Sequence, residues 1–419
     1  MEEPGLSRRA ETAPAPTAPA AREEPPPGAF GWFAAGVASW FGALGMQQVL
    51  FAWLAVGELQ ASPRGVGLAQ TASMLPALAL LLLGGATAER ADARRLLARL
   101  HLVAALPVLA LAAAVAGGRL SLPGLVLYGL AIGTVQAFAM PARDLLLSRV
   151  AGSDMMRAVT GMTAVQFGAQ ALGTLGAGAA RAVGSAPMLV AQAALLVAGA
   201  VATARLPAAP PTPRSGPRRS ALHEITAGLP VVARTPELRW PFALVCAVGV
   251  LFMGPFLVAF PLLVRDVYGG DAFDLSLVLM QFPVGTIAGS LLIRARGGIR
   301  RKGRAALGAL AFGAATLALI SSHPPFWGLV LATLAWGFGG SVFINCSRTL
   351  FQEAAPAAER ARVLSIYQLG FMGGAPIGTT LVGFASAPLG LHGTLLAAAC
   401  GMLAVVAAMA LLTSTPRME

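Results

Sequence analysis

Apolar runs alternate with short polar breaks along nearly the whole chain. From Ala29 onward twelve such runs follow one another, near residues 30–57, 65–88, 96–117, 122–143, 158–180, 184–204, 240–264, 273–293, 305–321, 326–347, 363–385 and 391–413. Each is close to the ~20 residues a helix needs to cross the hydrocarbon core of a bilayer. Short segments of strictly alternating hydrophobicity, the pattern of an outer-membrane barrel, are absent. Glycine and proline recur inside the runs, which membrane helices tolerate because neighbouring helices re-satisfy the freed backbone groups. The pattern predicts an all-α protein that crosses a membrane twelve times.

Polar stretches divide the runs into two sets of six. Residues 1–28 hold seven prolines and several charges but no apolar core, so they read as a disordered tail and not as a secretory signal. Residues 205–239 carry Pro207, Pro210, Pro211, Pro213, Pro217 and six arginines, and Ser220 to Arg234 could lie on the membrane surface as a short helix. The expected organisation is a six-helix bundle over 29–204, a basic linker over 205–239, a second bundle over 240–413 and a short tail over 414–419.

Composition sharpens the class. Of 419 residues 56% are hydrophobic and 11% charged, whereas a soluble domain carries about a quarter charged residues. The net charge of +12 would suggest nucleic acid in a soluble protein, but here the basic residues sit in short loops. If the N-terminus is cytoplasmic, 26 of the 30 basic residues fall on that side, and only Arg64, Arg119, Arg181 and Arg265 on the other. The positive-inside rule then places both termini in the cytoplasm of a multi-pass inner-membrane protein. Cys246, Cys346 and Cys400 lie far apart inside apolar runs, as small packing residues do.

The two sets of six are related. A shift of 205 residues puts Arg143 on Arg348, Arg157 on Arg362, Gly168 on Gly373, Gly173 on Gly378 and Gly178 on Gly383, and eight of the 38 positions in 143–180 are identical. Repeated halves around one central site are a common plan of secondary transporters.

The loop after the second run reads Gly84-Gly85-Ala-Thr-Ala88-Glu89-Arg90-Ala-Asp92-Ala-Arg94-Arg95. It resembles the signature of the major facilitator superfamily, with Glu89 in place of an aspartate and Ala93 in place of an arginine. A degenerate copy runs from Gly289 through Arg294, Arg296, Gly298, Arg300 and Arg301 to Arg304. Flanking text, including Glu58-Leu-Gln-Ala-Ser62-Pro63, Pro141-Ala142-Arg143 and Thr235-Pro236-Glu237-Leu238-Arg239, is similar to the bacterial exporters related to the enterobactin exporter. The resemblance implies two pseudo-symmetric six-helix bundles, the major facilitator fold, acting as a monomer. It also assigns Glu89, Arg90, Asp92, Arg94, Arg143 and Arg348 to a cytoplasmic gating latch. The fifth run carries Gly173-Thr-Leu-Gly176-Ala-Gly178, with Thr174 where many exporters of the superfamily have proline; the segment reads equally as close helix packing.

An amide in hydrocarbon needs a partner, so amides inside the runs face other helices or a water-filled cavity. Gln47, Gln48, Gln136, Gln281 and Asn345 are the candidate substrate contacts, because the resemblance puts their runs around the central cavity. Trp53, Phe138 and Trp336 could stack on a planar or amphiphilic ligand, or simply pack. Carboxylates are the usual intramembrane proton carriers, and here only the span-end residues Glu58 and Asp266 are available. Four histidines include His101 in the third run and form no metal-ligand cluster. No GxxxxGK[ST] loop and no HExxH or GxSxG set occurs, so no cofactor, ATP-driven step or membrane-enzyme chemistry is expected. The expectation is proton-coupled efflux of a small amphiphilic compound such as a siderophore or drug, with lipid, substrate and protons as partners. An importer or facilitator, or a non-transporting receptor-like relative, stays open.

Overall fold

A computed structural model describes residues 28–150, 155–208, 229–322, 324–356 and 360–418. The regular structure among them is helical. Helix α1 spans Ala29–Glu58, α2 Pro63–Arg90, α3 Ala93–Ala116, α4 Leu122–Val150, α5 Met155–Ala177, α6 Ser185–Ala204, α7 Pro236–Asp266, α8 Ala272–Ala295, α9 Lys302–Ser321 and α10 Phe326–Ala354. The last stretch, Arg360–Leu412, breaks at Gly390, whose φ of 67° lies in the left-handed region, giving α11 (360–389) and α12 (391–412). Nine stretches among the described residues are long and apolar enough to cross a membrane, and the last of them, Val363–Leu412, contains both α11 and α12. Helices α2 and α5 complete the twelve.

Local chemistry sets the starts. Ser62 caps α2 by accepting from the Gly65 N–H at 3.3 Å, with Pro63 at the first helical position, where its missing N–H costs nothing. Asp92 caps α3 through the Arg95 N–H at 3.1 Å, and Asp271 and Asp274 form a capping box at the start of α8. Several ends overrun the apolar runs. Helix α4 continues to Val150 and α10 to Ala354, about two turns beyond 143 and 347. A charge ends the membrane-compatible stretch but not the helix, because the helix keeps satisfying its own backbone in the interface.

Each half packs in the same way: α1 on α5, α2 on α4 and α3 on α6, then α7 on α11, α8 on α10 and α9 on α12. Glycines 205 residues apart serve equivalent crossings. A Cβ on Gly173 would overlap the Gly42 carbonyl of α1, and one on Gly378 the Val250 carbonyl of α7. A Cβ on Gly84 would overlap the Ala137 carbonyl of α4, and one on Gly289 the Ser341 hydroxyl of α10. Small residues let these backbones touch, which is how helices associate where lipid is as apolar as the side chains. The halves meet through α2 against α11 and α5 against α8. Leu106, Leu127, Leu172 and Leu331 are exposed on the outside of the bundle, where acyl chains would cover them.

The helices have two ends. The odd-loop end carries loops such as 59–62, 117–121 and 322–325; the other is the even-loop end. Both α1 and α7 contain a π turn towards the odd-loop end, at Leu54–Glu58 and Pro255–Ala259, which the periodicity did not predict. All of the expected tail 1–28 but Gly28, and most of the linker, lie outside the described residues, although 229–234 is helical. The C-terminal segment packs on the bundle: Thr415 is fully buried, and the Gly303 N–H donates to the Met418 carbonyl at 3.0 Å, docking 414–418 on the start of α9.

Candidate functional site

A π turn leaves a carbonyl out of the regular ladder, and the two π turns present theirs to the opposite half. The Val56 carbonyl accepts from Arg265 Nη1 at 2.7 Å, and the same nitrogen reaches the Ala61 carbonyl at 3.3 Å. Reciprocally, Gln70 Nε2 of α2 donates to the Leu257 carbonyl of α7 at 3.3 Å. Asp266 lies beside Arg265 and accepts from its Nε and Nη2, which orients the guanidinium.

Further contacts surround this pair of clasps. The Thr71 hydroxyl lies 2.8 Å from both the Thr379 and Thr380 hydroxyls and 3.2 Å from the Pro376 carbonyl. Gly67 and Gly383 abut so closely that a Cβ on Gly67 would sit 2.7 Å from the Thr379 carbonyl. Arg181 pairs with Asp271 at 3.1 Å, and the Arg64 guanidinium sits 5.4 Å from the centre of the Phe384 ring. These contacts between halves all lie towards the odd-loop end. Three of the four arginines on the arginine-poor side, Arg64, Arg181 and Arg265, are therefore cross-half contacts.

The candidate substrate contacts are distributed around the middle of the bundle. Gln47 and Gln136 line one small cleft together with Gln192, Trp40 and Ile132, with room for about one water molecule. Gln48, Trp53, Phe138 and Gln281 are half-buried, and Gln281 Nε2 donates to the Leu277 carbonyl of its own helix at 3.1 Å. Asn345 is exposed on α10, with Nδ2 donating to the Ser341 carbonyl at 2.8 Å and to the Ser290 hydroxyl at 3.2 Å. Trp336 is 2% exposed and closes an aromatic cluster with Phe252, Phe256, Phe260 and Phe282. In this conformation its ring is packed among these aromatics, the packing alternative of the sequence reading.

The latch candidates are not joined to one another among the described contacts. Arg143 donates from Nε and Nη2 to Asp144 at 3.0 and 2.7 Å and stacks 5.1 Å from the Phe41 ring centre. Asp92 caps α3 as described, and Arg94 Nη1 donates to the Leu206 carbonyl at 3.0 Å beyond the end of α6. Arg90 and Arg348 are exposed; Glu89 is in α2, and its side chain lies outside what is described. Of the two carboxylates proposed for proton coupling, Glu58 is exposed at the end of α1 and Asp266 is exposed and paired with Arg265. Sequence reasoning missed the clasps because nothing marks a π-turn carbonyl. The signal available was the four arginines on the poor side, where basic residues need a reason to be.

The model of one family matches residues 28–419, described as transmembrane secretion effector. The chain belongs to that family, a branch of the major facilitator superfamily. No curated protein matches the sequence of this family member. Among solved structures it is similar to the nucleoside transporter NupG (TM-score 0.74, 13% identity, covering 91% of this chain and 98% of that one). It is similar to a D-xylose-proton symporter (0.68, 14%, 93% and 98%). A third is a bacterial homologue of the human lysosomal transporter Spinster in an inward-facing, unoccupied conformation (0.69, 11%, 93% and 96%). Identities this low establish the shared fold. The chain therefore has the major facilitator fold that these transporters share.

Proposed function

We propose that the protein exports a small amphiphilic compound across the bacterial inner membrane by alternating access, driven by protons, with both termini in the cytoplasm. The observation that carries this reading is the clustering, among the described residues, of cross-half contacts at the odd-loop end. The 26 to 4 split of basic residues supports reading that end as the outside. In this reading the conformation is the one closed outwards. The family's description as a secretion effector and the resemblance to exporters related to the enterobactin exporter favour outward transport. Gln47, Gln48, Gln136, Gln281 and Asn345, with Trp53 and Phe138, are the substrate contacts in this reading. Glu89, Arg90, Asp92, Arg94, Arg143 and Arg348 form the inner latch when the cytoplasmic ends come together.

The test is accumulation of a panel of siderophores and antibiotics in an efflux-deficient bacterium expressing the chain, with and without a protonophore. The expected result is lower accumulation of at least one compound, restored by the protonophore and weakened by Arg143→Ala or Glu89→Ala at equal membrane abundance. Raised accumulation would reverse the direction, and unchanged accumulation throughout would overturn the transport reading.

A further inference from the structure

The N-terminal half buries an imidazole that the gate and the substrate contacts do not use. His101 of α3 is 1% exposed. Its Nδ1 is 2.9 Å from the Leu97 carbonyl, Nε2 has no hydrogen-bond partner, and the Gly36 carbonyl of α1 lies near the ring without completing a bond. The ring stands edge-on to Trp40, with centroids 5.0 Å apart. Room for it is made by glycine: a Cβ on Gly199 of α6 would sit 2.6 Å from His101 Cδ2 and 2.7 Å from Nε2. A neutral imidazole has one N–H, whereas both carbonyls are acceptors; imidazolium has a donor for each.

A small cavity lies between this slot and Arg143, on the even-loop side of the bundle. It is lined by His101, Gly36, Trp40, Thr203 and Arg143, and Trp40 also lines the cleft of Gln47, Gln136 and Gln192. Polar groups thus run from Arg143 past His101 towards the centre of the bundle. The residues lining this cavity from α1 and α6 are uncharged, Arg143 of α4 is its one charged residue, and Arg94, Arg95 and Arg99 occupy the cytoplasmic end of α3 itself. Two like charges in one small cavity oppose each other. Asp144 offsets part of the Arg143 charge from outside the cavity lining, and protonation of His101 weighs against the present seat of Arg143.

Resting on the transport reading above, we propose that His101 is a proton-binding site, loaded from the cytoplasm through the Arg143 cavity. Its Nε2 lone pair takes a proton from hydronium arriving from the cytoplasm, releasing water, and the resulting imidazolium displaces Arg143 towards the inner latch. The carrier would then be a buried imidazole and not Glu58 or Asp266.

The test uses the full chain in lipid nanodiscs and needs no substrate. Tryptophan fluorescence and a spin-label distance between the cytoplasmic ends of the halves are followed from pH 5 to pH 8. The expected result is a one-proton step in both readouts, lost in His101→Gln and retained in His392→Gln. Trp40→Phe should lose most of the fluorescence step and keep the distance step, which separates proton binding from a packing defect. A pH-independent wild type, or a step that survives His101→Gln, would overturn the proposal. Export in cells with neither step present would do so while leaving the transport reading intact.

Discussion

Arg265 is the most heavily committed side chain in the contact between halves at the odd-loop end, the outer gate of the proposed cycle, so Arg265→Ala is the most informative change there. Its guanidinium is 16% exposed and donates to Val56 at 2.7 Å and to Ala61 at 3.3 Å. A hydrogen bond to a charged group contributes about 1.5–3 kcal/mol. With the short bond near the middle of that range and the long one well below it, losing both costs the outside-closed state about 2.5 kcal/mol. At 1.4 kcal/mol per tenfold change, the ratio of closed to open moves by about 60-fold. Arg181→Ala removes a pair whose side chains are 62% and 34% exposed, worth about 0.5 kcal/mol or roughly twofold. Nitroxides on Arg119→Cys and Ser322→Cys, in a background without the native cysteines, would report the outer separation by pulsed EPR in nanodiscs. The expected result is a long-distance population that is large in Arg265→Ala and slight in Arg181→Ala. Unchanged distances in Arg265→Ala, or equal effects of the two, would refute the clasp.

Three further changes separate gate from scaffold. Thr71→Val removes the hydroxyl shared with Thr379 and Thr380, while Thr379 keeps the Ala375 carbonyl of its own helix at 3.2 Å; about 1 kcal/mol towards outside-open is expected from the same label pair. Gly84→Ala drives a methyl into a backbone carbonyl and should cost about 1–3 kcal/mol of stability. Gly289→Ala mainly meets the Ser341 hydroxyl, which can rotate, so its thermal midpoint in detergent should fall less. Trp336→Ala empties the centre of five aromatic rings and should cost about 3–5 kcal/mol, read as a lower midpoint with the substrate range unchanged.

Much of the fold was legible because hydrocarbon imposes a length on every helix, and the twelve apolar runs carry that length. The repeat was legible where packing fixes residue type: Gly173 and Gly378 both mark the place where a helix touches the first helix of its half. Helix ends were less so, since Arg143, Arg149 and Arg348 end the apolar runs of α4 and α10 without ending the helices. Trp336 shows a different limit. An aromatic has the same letter whether it faces a cavity or fills a core, and only the surrounding Phe252, Phe256, Phe260 and Phe282 decide. The carbonyls of Val56 and Leu257 carry no sequence signal, whereas their donors Arg265 and Gln70 stand out as a basic residue on the arginine-poor side and an amide in an apolar run.

Alternating access requires the outer ends to separate in every cycle. Arg181→Cys and Asp271→Cys, on either side of the outer contact, can be joined in cells by a bis-maleimide with a reducible linker, in a background without the native cysteines. Export of a compound cleared by the uncross-linked double variant should stop on cross-linking and resume on reduction. Clearance that continues at full rate with the outer ends held together would contradict transport through a gate between the halves.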